Sequence, residues 1–448
     1  MPEVPARASP ARRCAFTVLR RTFEDGAHTD QALRAEADRA RLGPRDRALA
    51  RRLAYGAVQR RATLDHLIEA LAERPVARLD GLTLAALRLG VFQVCFLDGV
   101  PAHAAVHEAV ELAKADGAHG HGLVNAVLRR AVREAPARLA ALDDATPARA
   151  ALRHSHPEWV ARLWWEHLGA EGARALLGAG NEPPEVALRA NTLVTTPAAL
   201  GDALRAQGVA SRPAEGAPEG LVLEDPFDAP GSDLFAAGAF MPQSRASMLV
   251  ARILAPRPGE RVLDLCAAPG TKSTHLAALM EDRGSVVAVE RDPGRARALR
   301  ETARRLHTGC VEVREADARE PQGEGFDRVL VDPPCSGLGT LRGRPDRRWR
   351  AREEDVAGLA ARQREILVAA AAAVRPGGSL VYSTCTISPA ENEDVVAAFL
   401  GERAEFATED LTSDHPLWKH PTVPAHLLLL PHRDGTDGFF IARLRRRA

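Results

Sequence analysis

Lysine is nearly absent. Of 60 basic residues only Lys114, Lys272 and Lys419 are not arginine. A lysine inside a motif therefore marks a place where a compact ammonium is wanted and a planar guanidinium is not. Long apolar runs are also missing: no stretch of about 18 such residues occurs, so no membrane-spanning helix is expected. The basic start MPEVPARASPARR is not followed by an apolar stretch, which excludes a secretory signal. The six cysteines, Cys14, Cys95, Cys266, Cys310, Cys335 and Cys385, include no C-x-x-C pair. In a chain of 448 residues this excludes a disulfide framework and a zinc knuckle, and points to free thiols in the cytoplasm. Net charge is small as well, +1, so global charge does not announce nucleic acid. Its distribution says more. Residues 1–60 carry 13 arginines against 7 acids, a local excess of the kind that phosphate binding uses.

The apolar fraction is ordinary, and the length suits two or three domains. Residues 11–135 carry apolar residues at helical spacing almost throughout, as in RDRALARRLAYGAVQRRATLDHLIEAL, and predict an all-helical bundle over 1–142. GAHGHG (117–122) reads as a loop before a last helix, and residues 136–150 as a linker. A small α+β domain is expected over 143–232, with a helix around Trp159–Leu168 and strands at Val186–Asn191 and in GLVLEDP. From 233 to 448 short apolar runs alternate with helical segments: RVLDLC, SVVAVE, CVEVRE, DRVLVD and SLVYST. That alternation predicts an α/β, Rossmann-like domain with a parallel sheet. No repeat of solenoid period is evident.

Four features carry chemistry. RVLDLCAAPGTKS (261–273) runs from strand through a small-residue loop into a helix, where backbone can approach a ligand closely. Only one glycine precedes Lys272, so it is not a phosphate-binding P-loop. Three acids stand at successive strand ends: Glu290, Asp317 and Asp332. An acid after the second strand is the usual holder of a ribose diol. VDPPCSGLGT (331–340) places Cys335 after two stiffening prolines. LVYSTCTISPAENED (380–394) delivers Cys385 to a strand's carboxyl end, with Ser388 a candidate N-cap for the next helix. Two thiols on one rim, without metal-ligand spacing, point to thiol chemistry. Position does not say which one attacks.

CAAPGTKS, DPPCSGLGTLRGRPDRRW and YSTCTISPAENE together resemble the signature motifs of the Sun/Nol family of RNA cytosine-5 methyltransferases. RDRALARRLAYGAVQRRATLDHLIEAL and GVPAHAAVHEAVELAKA…GLVNAVLRR resemble the NusB-like RNA-binding domain of one branch, as do SHPEWVARLW, PPEVALRANTL and DGFFIARL its other segments. The resemblance covers nearly the whole chain. It implies a class I methyltransferase domain and S-adenosylmethionine as methyl donor. The implied cofactor contacts are Cys266, Ala267, Ala268, Pro269, Gly270, Thr271, Lys272, Glu290, Asp317 and Asp332. It implies Cys385 as the nucleophile toward a cytosine, Cys335 as the assisting thiol, and small-subunit ribosomal RNA as the partner, with no metal and no membrane. A monomer is expected. Asp332 is expected to protonate the ring nitrogen, and Lys272 to touch the base or orient Asp332. Three positions depart from the family: Thr271 stands for a usual Gly, Pro333 for Ala, and Gln243-Ser244 for Gln-Asp. A positive φ at Thr271 would cost on the order of 1–2 kcal/mol.

Two rival functions are weaker. An exocyclic amino methyltransferase would want an aromatic ring at position 335 and has no need of Cys385. A non-catalytic RNA-binding factor would not need two thiols and a rim of acids. His103 and His107, four apart on a helix, lack a third ligand nearby and are expected to cap or face solvent.

Overall fold

The computed structural model describes residues 8–114 and 120–448; residues 117–119 of the expected GAHGHG loop lie outside them, and its last two residues begin the helix His121–Ala140. The chain forms two compact units, Met1–Pro183 with Leu341–Ala351, and Pro184–Thr340 with Arg352–Ala448.

The first unit is helical. Its core helix, Gly81–Phe96, buries residues on every face and starts at Asp80, whose side chain accepts from the Thr83 amide at 2.8 Å. Helices Pro10–Phe23, Pro44–Gln59, Arg61–Ala72, Ala102–Ala113 and His121–Ala140 share one hydrophobic cluster with it, including Phe16, Leu53, Leu67, Val91 and Leu128. The expected linker over 136–150 is shorter, because His121–Ala140 continues through Pro136. A proline there deprives the carbonyl four residues back of its partner. That residue, Val132, is exposed. Helices Pro147–His154 and Glu158–Ala179 follow.

The segment Leu341–Ala351 belongs to this helical unit although its sequence continues the DPPCSG motif. Arg348 is fully buried and donates to the carbonyls of Gln59, Ser155 and Gly180 and to Asn181 Oδ1 at 2.7–3.0 Å. Trp349 Nε1 donates to the Val58 carbonyl at 2.7 Å. Asp346 accepts from the Thr29 amide at 3.3 Å.

The second unit holds two sheets. In the small one, β1 (Ala187–Ala190) pairs antiparallel with β3 (Gly220–Leu223) and β4 (Phe240–Pro242), and β2 (Ser211–Pro213) flanks β3. Helix Pro197–Ala206 packs on it through Leu200 and Leu204, against Leu188, Leu221 and Phe240. The large sheet has β5 (Arg261–Leu265), β6 (Ser285–Glu290), β7 (Val311–Glu315), β8 (Phe326–Val331) and β9 (Val374–Thr384) in the parallel order β9-β8-β5-β6-β7. The expected parallel sheet is in fact mixed. β12 (Phe439–Arg446) runs antiparallel to β9, and β10 (Phe406–Glu409) and β11 (Leu427–Leu429) pair antiparallel with β12. β12 joins through contacts with a strand some 60 residues earlier, which no local period announces. Strand order reverses between β5 and β8. The carboxyl ends of these two strands therefore open a crevice, the place where open α/β sheets bind ligands.

Candidate functional site

The loop after β5 turns tightly. Cys266 has φ +63° and Gly270 has φ +96°, where glycine escapes the Cβ penalty. Thr271 is not at positive φ. It is the first residue of helix Thr271–Leu279, so the cost foreseen for it does not arise. Arg295 reaches back from helix Pro293–Arg305 to donate to the Ala268 carbonyl at 3.0 Å. Ala267 and Ala268 are buried, whereas Pro269 is exposed. Burial pushes the Cys266 thiol up to about 12, so it stays protonated and unreactive.

Glu290 ends β6 almost fully buried. Its Oε1 accepts from the Asp292 amide at 2.9 Å, while its Oε2 accepts no hydrogen bond among the described residues and has only the Arg295 guanidinium 3.6 Å away as an ion-pair partner. A buried carboxylate oxygen with a free lone pair is costly unless something donates to it. A ribose hydroxyl would. Together with the glycine turn and the helix N-terminus beside it, this oxygen, ion-paired but not hydrogen-bonded, fits S-adenosylmethionine. Asp317 is farther out. Hydrogen bonds from the Arg319 side chain and amide hold its carboxyl well below the usual range.

Asp332 follows β8. Its Oδ2 accepts from Lys272 Nζ at 2.7 Å and its Oδ1 from Ser383 Oγ at 3.0 Å. Burial works against the Lys272 charge, but the Asp332 carboxylate outweighs it, with a further contribution from Cys385. The ammonium pKa is raised on balance. Lys272 also lies 5.4 Å from the Phe439 ring centroid, on β12. Beneath the pair, Asp264 is fully buried against Ser273 Oγ at 2.6 Å, and burial pushes its carboxyl up to about 7.

The two thiols meet. Cys335 Sγ and Cys385 Sγ are 3.4 Å apart. The Cys335 loop is pinned at both ends. Gly339 donates its amide to the Cys385 carbonyl at 3.0 Å, and a Cβ there would strike the Gly438 carbonyl at 2.1 Å. At the other end Glu391, fully buried, accepts from the Ser336 amide at 2.8 Å and from the Ser336 hydroxyl. Gln363 Nε2 bridges the Pro334 carbonyl at 2.9 Å and Glu391 at 3.0 Å, and Tyr382 donates to the Glu391 carbonyl. Hydrogen bonding to Cys385, then burial, raise the Cys335 pKa well above its ordinary value.

Sequence reasoning missed Ser383, Gln363 and the supporting role of Glu391. Ser383 and Glu391 lie inside quoted motifs, where only their place in the chain was legible. Ser388, foreseen as an N-cap of the next helix, stands instead at the start of the 3-10 turn Pro389–Glu391; its buried hydroxyl has no hydrogen-bond partner among the described residues, and the helix starts at Glu393.

Parallel order β9-β8-β5-β6-β7 with antiparallel β12 beside β9, and a glycine turn at the switch point, defines a Rossmann-like methyltransferase domain. The comparisons narrow this. Residues 251–445 match the family described as 16S rRNA methyltransferase RsmB/F, residues 9–133 the NusB family, and residues 156–229 the ferredoxin-like domain of RsmF/B-like methyltransferases. A Synechocystis protein described as a probable ribosomal RNA small subunit methyltransferase B is 37% identical over 97% of this chain and 99% of its own. The crystal structure of PH0851 superposes with a TM-score of 0.84 at 27% identity, covering 98% of both chains. NSun6 from Pyrococcus horikoshii, solved with the S-adenosylmethionine analogue SFG, matches with a TM-score of 0.59 at 25% identity over 65% of this chain and 98% of that one. The chain belongs to the ribosomal RNA small subunit methyltransferase B family. It is an S-adenosylmethionine-dependent RNA methyltransferase.

Proposed function

We propose that the protein methylates carbon 5 of a cytosine in small-subunit ribosomal RNA, in the cytoplasm and as a monomer, and that Cys385 forms a covalent adduct with the base. The observation that carries this is the pair of sulfurs 3.4 Å apart beside the Lys272–Asp332 ion pair at the switch point. The ribosomal substrate is inferred from the names of the relatives.

Bound S-adenosylmethionine supplies an electrophilic methyl group. Glu290 holds its ribose, and the Cys266–Lys272 turn shapes the rest of its seat. Cys385 Sγ adds to carbon 6 of the base, and the displaced ring electrons make carbon 5 nucleophilic. A free thiol is only a few per cent thiolate at pH 7, so the site must favour the anion. Lys272 does so by its charge, and Cys335, kept protonated, donates toward the attacking sulfur. The Lys272–Asp332 pair supplies the proton that the ring nitrogen takes up as sulfur adds. Once carbon 5 carries the methyl, its proton passes to solvent water with Cys335 assisting, the ring-nitrogen proton returns to the Lys272–Asp332 pair, and the Cys385 thiolate leaves. The target base must be unstacked, since a duplex hides carbon 6.

Cys385→Ala is expected to abolish methyl transfer while retaining cofactor binding. Cys335→Ala should leave RNA attached to the protein as a retarded gel band. Turnover by Cys385→Ala would refute the assignment, and an adduct in that variant instead of the other would reverse the roles. Mass identification of the product nucleoside from ribosomal RNA separates carbon 5 from the exocyclic nitrogen.

A further inference from the structure

Strand β1 carries the PPEVALRANTL segment, and its alternation sends Leu188 and Ala190 into the core of the small sheet. Arg189 and Asn191 point the other way. Both are almost completely buried; Arg189 spends its two Nη groups on Gln243 and on the start of the helix that follows the cofactor turn, while its Nε has no hydrogen-bond partner among the described residues. Arg189 Nη1 donates to the Thr271 carbonyl at 2.5 Å and to Gln243 Oε1 at 2.5 Å; Nη2 donates to Thr274 Oγ1 at 3.0 Å. Thr274 Oγ1 donates in turn to the carbonyl of Gly270, the left-handed residue of the turn, at 2.7 Å. Asn191 Nδ2 donates to the carbonyls of Gly238 at 3.0 Å and Leu306 at 2.9 Å. Leu306 ends the helix that begins just after Glu290 and carries Arg295.

Packing alone does not explain an arginine here. A buried guanidinium is expensive unless paired, and no ion pair to Arg189 is present among the described residues. Glu219, whose charge reaches Arg189, is engaged by Arg252. A cation beside the first turn of a helix also works against the helix dipole. A methionine would fill the space without either cost. What the guanidinium adds is a rigid fork that fixes one carbonyl and one hydroxyl of the turn at once.

We propose that Arg189 is a positioning residue: acting through Thr274 and the Thr271 carbonyl, it holds the Gly270 turn in the shape that binds S-adenosylmethionine. The small sheet is thus a brace for the cofactor seat. This rests on the cofactor assignment but not on the roles of the two thiols.

The test is calorimetric binding of S-adenosylmethionine to the full chain without RNA, alongside RNA affinity by filter binding and thermal melting. Arg189→Met should weaken cofactor affinity at least tenfold while RNA affinity changes less than twofold. Arg189→Lys, which keeps charge but loses the fork, should recover part of the loss. Thr274→Val removes only the relay hydroxyl, tests the idea if Arg189→Met fails to fold, and should weaken cofactor binding severalfold. Wild-type cofactor affinity in Thr274→Val and in a folded Arg189→Met overturns the proposal. So does a parallel loss of cofactor and RNA binding that tracks the melted fraction. Failure of the unaltered protein to bind S-adenosylmethionine would overturn the cofactor assignment itself, and this proposal with it.

Discussion

Thr271 and Gly270 show how much one residue's conformation decides. The family's usual glycine is replaced at 271 without strain, because the left-handed conformation belongs to Gly270 and Thr271 begins a helix. Thr271→Gly should therefore relieve nothing and cost about 0.3 kcal/mol of helix propensity. Gly270→Ala should cost at least about 1 kcal/mol, from the left-handed backbone. Thermal melting of both variants checks the order; a stabilised Thr271→Gly would contradict it. At this scale the sequence was informative about position: Cys385, Glu290 and Asp332 stand at or just past strand ends, and Cys335 and Lys272 come beside Cys385 and Asp332. It was silent on which neighbours hold them. Glu391 stood in the sequence only as one letter of the YSTCTISPAENE motif, and its role as acceptor for the Cys335 loop depends on a fold that buries it.

At the scale of elements, the segment Leu341–Ala351 is the clearest departure from what the sequence suggests. It is continuous with the Cys335 motif, yet it belongs to the helical unit. Arg348→Met should leave three carbonyls and the Asn181 oxygen without this donor, at about 1–3 kcal/mol for each that stays unsatisfied. A loss of at least about 3 kcal/mol in unfolding free energy is expected, against under about 0.5 for the exposed Arg352→Ala. Denaturant unfolding followed by helical signal measures both, and equal effects would disprove the anchoring role. Helices and the five parallel strands were legible from periodicity. β12 was not, since its place beside β9 rests on partners distant in sequence.

Across the whole molecule, buried titratable groups set the response to acid. In the second unit, burial holds His275 and His426 down to about 4, while it holds Asp264 up to about 7. Between pH 6.5 and 5 the unfolded chain binds protons at the two histidines that the native state refuses, so stability falls as pH falls. Asp264 acts oppositely, because the native state keeps a proton that the unfolded chain releases. Two against one gives these three groups a net slope of at most about 1.4 kcal/mol per pH unit, and His415 and His432, also held down by burial, add to it in the same sense. Urea unfolding should show stability declining from pH 6.5 to 5, more steeply in Asp264→Asn. A flat or rising profile would count against this balance. By itself the sequence determined the class of chemistry, since motifs carry reactive groups in fixed order along strand ends. It also determined the helical and α/β character of the two parts, because hydrophobic period is local. Only the tertiary structure decided that the two sulfurs touch, that Arg189 reaches the Thr271 carbonyl and Thr274 hydroxyl, and that part of a signature motif serves the helical unit. These depend on contacts between residues far apart in the chain, and burial converts such contacts from contingent neighbours into obligatory partners.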